Sequence, residues 1–141
     1  MSEIRLVHDG LVSAEEFTRF AARLAAITSA VGDALEADGE ERAPDMEVPV
    51  LWMSAVGHAV AAVLPTLSDH TQRAVLDLVE DGMASGEGLL RTAVATGLLE
   101  ALAHDMDRSR VPRDLVEPLL GAQSRAYLRA WDEFTLGEPL P

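Results

Sequence analysis

The chain has 141 residues, no cysteine and a formal net charge of −13 at pH 7. This length is typical of one domain that can bury a sizeable core. Because cysteine is missing, a disulfide and a thiolate nucleophile are excluded, which fits a cytoplasmic protein. The negative charge disfavours nucleic acid and anionic membranes as partners and favours basic proteins.

The N-terminal third predicts one long helix. Ser13 and Glu16 have the spacing of a capping box, in which a serine begins a helix and a glutamate three residues later satisfies its first amides. From there to about Glu36, apolar residues recur at helical spacing. Residues 1–12 are ambiguous, although Asp9-Gly10 is typical of a turn.

Residues 37–47 form an acidic loop in which Gly39 and Pro44 break the helical pattern. Between Asp33 and Glu47 there are seven acids and one arginine, a local charge of −6. The loop is either a solvated connection or an acidic surface for a basic partner. On the second interpretation, its partner-binding residues are Asp38, Glu40, Glu41, Asp45 and Glu47.

The stretch from Val48 to Leu64 carries no charge, and its only polar side chains are Ser54 and His58. A helix that is apolar all round is expected to be buried on all sides. The stretch contains a proline at its second position and is shorter than the roughly 20 residues that cross a membrane. We therefore expect the central helix of the core, not a membrane span.

Two more helices are expected to form an antiparallel hairpin. Ser68 can cap a helix from Asp69 to about Met83, and a second helix follows from about Glu87 to Asp105. The glycines between them indicate a short turn. Small residues at every fourth position of the second helix permit close helix approach: Ala93, Gly97 and Ala101.

The C-terminal region predicts a short helix after Pro112, interrupted by Pro118 and Gly121, and a last helix from about Gln123 to Thr135. The last helix carries an aromatic stripe, which is more typical of core packing than of a ligand site. Its members are Tyr127, Trp131 and Phe134. Residues 136–141 are expected to form a flexible tail.

These patterns predict an all-α protein in which residues 1–141 form a single domain. We expect a bundle of five or six helices around the buried apolar helix, and two helical hairpins in series could also stack on each other. A convincing two-residue strand period is absent from the sequence.

The sequence contains no HExxH, GxSxG or P-loop motif. Asp77, Glu80 and Asp81 share one face of a helix, where they could bind a divalent cation or simply face water. Because the Glu-x-x-His motif of di-metal bundles is missing, we expect no metal and no cofactor. The same three acids are a second candidate patch for a basic partner.

His58 is the one histidine on the apolar helix. A histidine in such a place usually has its ring satisfied by a backbone or hydroxyl partner. The alternative is a ligand pocket between helices, for which the polar groups would be His58, Glu100 and Tyr127.

Three runs carry a family resemblance: residues 74–80, residues 92–102 and residues 119–124, followed by Trp131 and Phe134. Residues 66–134 thereby resemble small bacterial all-helical proteins, some of which look like immunity proteins of polymorphic toxin systems. Glu100 matches the acid in the family's Gly-apolar-Leu-Glu motif. The resemblance implies tight binding and neutralisation of a cognate toxin, and it points to neither the toxin nor the contact residues.

Three functions remain open from the sequence. The first is a non-enzymatic, immunity-like binding protein whose toxin has a basic, nuclease-type groove, for which an acidic protein is electrostatically suited. The second is a small helical enzyme or ligand-binding domain that uses the pocket around His58. The third is an oligomeric scaffold in which the last helix faces another subunit, and the oligomeric state is open.

Overall fold

The computed structural model describes residues 2–85 and 88–135, and every regular element among them is helical, which confirms the all-α prediction. Leu89 to Asp107 form one continuous helical run that contains a π-helical segment. In chain order the elements are α1 (Ser2–Ile27), α2 (Ala30–Ala37), α3 (Pro49–Val63), a 3-10 turn (Leu64–Thr66), α4 (Asp69–Ala84), α5 (Leu89–Ala93), the π segment (Val94–Leu99), α6 (Glu100–Asp107), α7 (Arg113–Val116), a 3-10 turn (Glu117–Leu119) and α8 (Ala122–Thr135).

The prediction that a helix begins at Ser13 is wrong, because α1 begins at Ser2 and passes through Ser13. Capping residues favour a helix start but are tolerated inside a helix when the backbone on their N-terminal side is also helical. The turn expected at Asp9-Gly10 is also wrong, because α1 passes through both residues. A single glycine lowers helix stability by only about 1 kcal/mol, so a longer helix can include it.

The predicted single helix to Glu36 is in fact two helices, since α1 ends at Ile27 and α2 begins at Ala30. At the break, the Thr28 hydroxyl accepts a hydrogen bond from the Ala30 amide at 3.1 Å. Threonine competes in this way with the helical hydrogen bonds of the backbone. The apolar spacing continues across the break because Leu24 of α1 and Val31 of α2 are both buried in the core.

α3 is the central element, as predicted from its lack of charge. It begins at Pro49, where the missing amide of proline is not needed. Its buried residues pack against α2, the π segment and α6. Trp52, Met53, Val56 and Val60 are nearly inaccessible to solvent, and they join the core cluster that α1 and α4 complete.

The expectation that α3 is buried on all sides is wrong. One strip of the helix is open to solvent, with Leu51 68% exposed, Ala62 exposed, and Ala55 and His58 partly exposed. These residues recur at helical spacing, so they share one face. Pro49–Thr66 is long and apolar enough to cross a membrane by composition, and 44% of it is buried within the structure. The neighbouring helices thus cover part of the helix and leave this face open.

Two glycines let α3 and the π segment approach each other closely. A Cβ atom on Gly57 would lie 2.5 Å from the Leu98 carbonyl oxygen, and one on Gly97 would lie 2.8 Å from the Val50 carbonyl oxygen. Real side chains do not tolerate such distances to backbone atoms, so both positions require glycine. Two of the three small residues predicted to permit close helix approach, Gly97 and Ala101, lie at this crossing, where Ala101 faces Gly57.

The elements after α3 agree more closely with the predictions made from the sequence. The Ser68 hydroxyl caps α4 by accepting a hydrogen bond from the Thr71 amide at 3.2 Å. Tyr127 and Trp131 of α8 are partly buried and pack against the core, as expected for an aromatic stripe. The predicted turn at residues 86–87, the side chain of Phe134 and the predicted tail at 136–141 lie outside the described residues.

We predict that Gly57→Ala lowers the free energy of unfolding by about 2 kcal/mol, because overpacking a tight helix crossing is destabilising. Urea denaturation measures the change. Leu51→Ala on the exposed face of the same helix is the control and should change stability by less than about 0.5 kcal/mol. A Gly57→Ala protein as stable as the wild type would show that α3 and the π segment do not approach this closely.

Candidate functional site

The acidic loop between α2 and α3 is anchored to the body of the protein at two points. Arg42 forms ion pairs with Asp33 and with Glu36 of α2, the second at 3.0 Å. The buried indole of Trp52 donates a hydrogen bond to the Glu41 carbonyl oxygen at 2.9 Å. These contacts fix the loop against α2 and α3.

The loop's single arginine neutralises only acids of α2. The five predicted partner-binding acids are all exposed, and none forms an ion pair with the side chains described in the structure: Asp38, Glu40, Glu41, Asp45 and Glu47. Asp45 accepts a hydrogen bond from the Glu47 amide at 3.0 Å, which stabilises the turn before α3. The loop therefore presents several uncompensated negative charges to solvent.

Apolar side chains lie beside these charges. Met46 is 36% exposed, Val48 is 42% exposed and Leu51 is 68% exposed, although large apolar side chains are usually buried. Exposed apolar residues among polar neighbours occur at protein-binding sites, so this segment is a candidate for one. We call Met46, Val48 and Leu51, together with the five loop acids, the interaction surface.

The second predicted acidic patch on α4 does not offer three free carboxylates. Glu80 accepts hydrogen bonds from the amides of Gln123 and Ser124 and from the Ser124 hydroxyl, at 2.9, 3.0 and 2.9 Å. Asp81 forms an ion pair with Arg23 at 2.7 Å. Of the three, Asp77 alone is exposed without an ion pair to a described side chain. The structure thus gives Glu80 and Asp81 internal partners.

Glu80 acts as the cap of α8 from a different helix. Its carboxylate lies at the start of α8, where a negative charge is stabilised by the free amides and the helix dipole. The close approach depends on Gly121, since a Cβ atom there would lie 2.3 Å from the Glu80 carboxyl carbon. The glycine that was predicted to interrupt the helix therefore also makes room for the capping carboxylate.

His58 has a carboxylate as its partner, not the backbone or hydroxyl group that we expected. Its Nδ1 lies 2.8 Å from Oδ2 of Asp105, whose side chain is only 4% exposed. The other oxygen of Asp105 lies 3.4 Å from a guanidinium nitrogen of Arg110. A buried carboxylate is stable when it is paired and hydrogen-bonded in this way. Asp105 therefore connects α3, α6 and the loop after α6.

An open cleft of about 480 Å³ lies beside this pair. His58 and two alanines of α3, Ala55 and Ala62, form one wall. Asp38 and Glu40 of the acidic loop line the same cleft, so it is continuous with the interaction surface. The remaining lining residues are Leu35, Ala61, Asp105 and Arg110.

The three residues of the predicted pocket do not form one site. Tyr127 donates a short hydrogen bond to Glu100, and both are partly buried between α6 and α8. Burial and then the bond to Glu100 raise the pKa of Tyr127. His58 lines the separate cleft, which neither Glu100 nor Tyr127 lines. The predicted trio is therefore a structural pair and an independent histidine.

The sequence did not lead us to predict that Asp105 and Arg110 pair near His58, or that Leu51 is exposed. The signal for Asp105 was present, because an acid four residues after Ala101 continues the buried stripe of α6, and a buried acid implies a partner. Arg110 belongs to a loop with no such pattern. Among the residues that the structure describes, no group of three His, Asp or Glu side chains is placed to hold a metal ion.

We predict that Glu80→Ala lowers the free energy of unfolding by about 1–3 kcal/mol, because three donors at the start of α8 lose their acceptor. Chemical denaturation measures the loss. Asp77→Ala, which removes an exposed acid from the same helix, is the matched control and should lie within about 0.5 kcal/mol of the wild type. Equal effects of the two substitutions would contradict the capping role.

The single tyrosine of the chain makes the Glu100–Tyr127 bond testable by pH titration. Because the folded protein raises the pKa of Tyr127, the phenolate absorption band should appear only well above pH 10. The stabilising effect of the phenol is fully present below about pH 10 and is lost as pH rises through the folded pKa.

Two controls accompany this titration. In denaturant the same band should appear near pH 10. Glu100→Gln should lower the folded pKa because it removes the negative acceptor. A folded protein that titrates as it does in denaturant would exclude the hydrogen bond between Glu100 and Tyr127 in solution.

The chain matches no known protein family, no curated protein and no solved structure. The likeness to immunity proteins therefore stays a prediction. Any function has to follow from the contacts, exposure and charge of the residues described above.

Proposed function

We propose that this protein is a non-enzymatic binding module that neutralises a basic protein toxin in the bacterial cytoplasm. The observation that carries the proposal is the exposed apolar group of the interaction surface: Met46, Val48 and Leu51. Its rim is formed by acids that have no ion-pair partner among the described side chains. This combination of apolar centre and charged rim is the usual anatomy of a protein-binding site.

The apolar and acidic parts of the surface contribute differently to binding. Burial of Leu51, which is 68% exposed in the free protein, supplies affinity because its apolar area is removed from water. The loop acids attract a basic partner during approach, so they mainly raise the association rate and exclude acidic competitors. The partner should therefore present a basic surface with an apolar depression near its centre.

A merely solvated loop explains these features less well. Such a loop needs neither the Trp52–Glu41 hydrogen bond nor the Arg42 ion pairs that fix it to α3 and α2. It also gives no reason for the exposure of Leu51. Fixing the loop before binding reduces the conformational entropy lost on association, which favours tight complexes.

A nuclease-type toxin is the best-suited partner class. A protein that binds nucleic acid uses lysine and arginine side chains to contact phosphates, so its substrate groove is basic. A protein of net charge −13 with fixed exposed carboxylates can occupy such a groove and block the substrate. Neutralisation in this form needs no catalytic residue in the present chain.

The alternative of an enzyme with a His58, Glu100 and Tyr127 pocket loses its geometric basis. Glu100 and Tyr127 bind each other, and His58 binds Asp105. The scaffold alternative rested on α8 facing another subunit, whereas Tyr127 and Trp131 pack against the core of their own chain. The binding-module proposal is therefore the one that the exposed residues favour.

The test uses the immobilised protein to capture partners from a lysate of the source organism. We expect a basic protein that stops growth when it is expressed alone and is tolerated when the present protein is co-expressed. Leu51→Ala should speed dissociation from the purified partner by about tenfold, since truncation of a central apolar contact raises the off-rate.

Charge reversal tests the acidic part of the same surface. Glu41→Lys, Asp45→Lys and Glu47→Lys combined should slow association by at least about tenfold at low salt, with less effect at high salt. The matched control reverses three exposed acids elsewhere: Glu15, Asp114 and Glu133. If the two triple variants associate equally fast, or if the captured protein is harmless when expressed alone, the proposal is wrong.

A further inference from the structure

The cleft beside His58 has a net negative charge that its own residues do not cancel. Asp38, Glu40 and Asp105 contribute three negative charges, and Arg110 contributes one positive charge. Arg110 lies close to the carboxylate of Asp105, so these two compensate each other. Asp38 and Glu40 also line the cleft, and neither forms an ion pair with a described side chain. They leave the cleft with an uncompensated charge of about −2.

The hydrogen bond to Asp105 fixes which ring nitrogen of His58 can meet a ligand. A carboxylate only accepts hydrogen bonds, so the proton of the neutral ring is on Nδ1. Nε2, on the opposite edge of the ring, is then an acceptor with a free lone pair. The His58 side chain is 42% exposed and lines the cleft, and the ring of His104 stands edge-on to it with the centroids 6.2 Å apart. A donor group that enters the cleft therefore meets an exposed imidazole.

The rest of the wall is apolar and smooth. Ala55, Ala61 and Ala62 project only methyl groups, and Leu35 adds an apolar side chain at the end of α2. Arginine and lysine side chains pack their aliphatic stems on such surfaces while their charged heads reach polar groups. The cleft volume of about 480 Å³ lies within the range of about 300–1,000 Å³ that is typical of ligand sites.

We propose that this cleft is a subsite for one cationic side chain, an arginine or a lysine, that projects from the partner protein. The aliphatic stem lies along the alanines of α3, and the charged head donates hydrogen bonds to Asp38, Glu40 and His58 Nε2. This inference rests on the proposed function for the identity of the occupant. It adds a defined anchor next to Leu51, so that one arginine or lysine fixes the register of the complex.

The subsite can be tested without the partner protein. The probe is the peptide acetyl-Gly-Arg-Gly-amide, titrated into the isotope-labelled protein at pH 8 while the assigned ring signals of His58 are followed by NMR. We expect a saturable shift of these signals. The matched probe replaces arginine by citrulline, which has nearly the same shape without the charge, and should give no saturable shift.

Conservative variants locate the site within the loop. Glu40→Gln and Asp38→Asn should each weaken binding of the arginine peptide by about fivefold, because each removes one charge partner. Glu47→Gln removes the same charge from the same loop outside the cleft and should change binding by less than about twofold. These exposed side chains have no described side-chain partner, so all three variants should fold, which circular dichroism checks.

Each remaining outcome decides the proposal. Equal shifts with citrulline, no shift at His58, or an equal loss in Glu47→Gln would overturn the subsite. These outcomes would not decide the proposed function, because the partner-capture experiment tests it without the peptide probe. Conversely, saturable arginine binding at His58 together with a harmless captured protein would retain a cation subsite and remove the toxin as the source of the cation.

Discussion

The contact between α3 and the π segment is the constraint on which the rest of the structure depends. Gly57 meets the Leu98 carbonyl oxygen, and Gly97 meets the Val50 carbonyl oxygen, at distances that leave no room for a side chain. Because the two backbones approach closely, the large apolar residues of both elements join one buried core cluster. The crossing lies at the π-helical segment, of which five residues are buried.

The same packing determines what α3 shows to solvent. With one side against the π segment and others against α2 and α6, a strip from Leu51 to Ala62 stays open. α2 and the loop that follows it lie beside this strip, and the loop is held there by Trp52. The core helix therefore also supplies the apolar centre of the interaction surface and the histidine of the cleft. In the proposed function, stability and binding therefore depend on different faces of one helix, so substitutions should separate them.

Acidic residues of similar chemistry have four different roles in this protein. Glu80 caps α8, Asp81 pairs with Arg23, and Asp105 is buried between a histidine and an arginine. Others, such as Glu47 and Asp77, are exposed without an ion pair to a described side chain. Several acids thus have a structural role, and five exposed acids without such a partner lie together in the acidic loop. Mutagenesis that treats all acids as equivalent would mix effects on stability with effects on the proposed binding.

The sequence by itself determined the all-α class, the start of α4 at the Ser68 cap, and the position of α3 within a residue or two. These features depend on local signals: hydrophobic period, capping groups and proline placement. The acidic loop could also be predicted, because glycine and proline interrupt a run of acids. Tertiary structure alone decided that Leu51 is exposed and that Asp105 binds His58. Exposure and pairing depend on which distant segments pack together, and residues 47 positions apart in the chain carry no local signal of their contact.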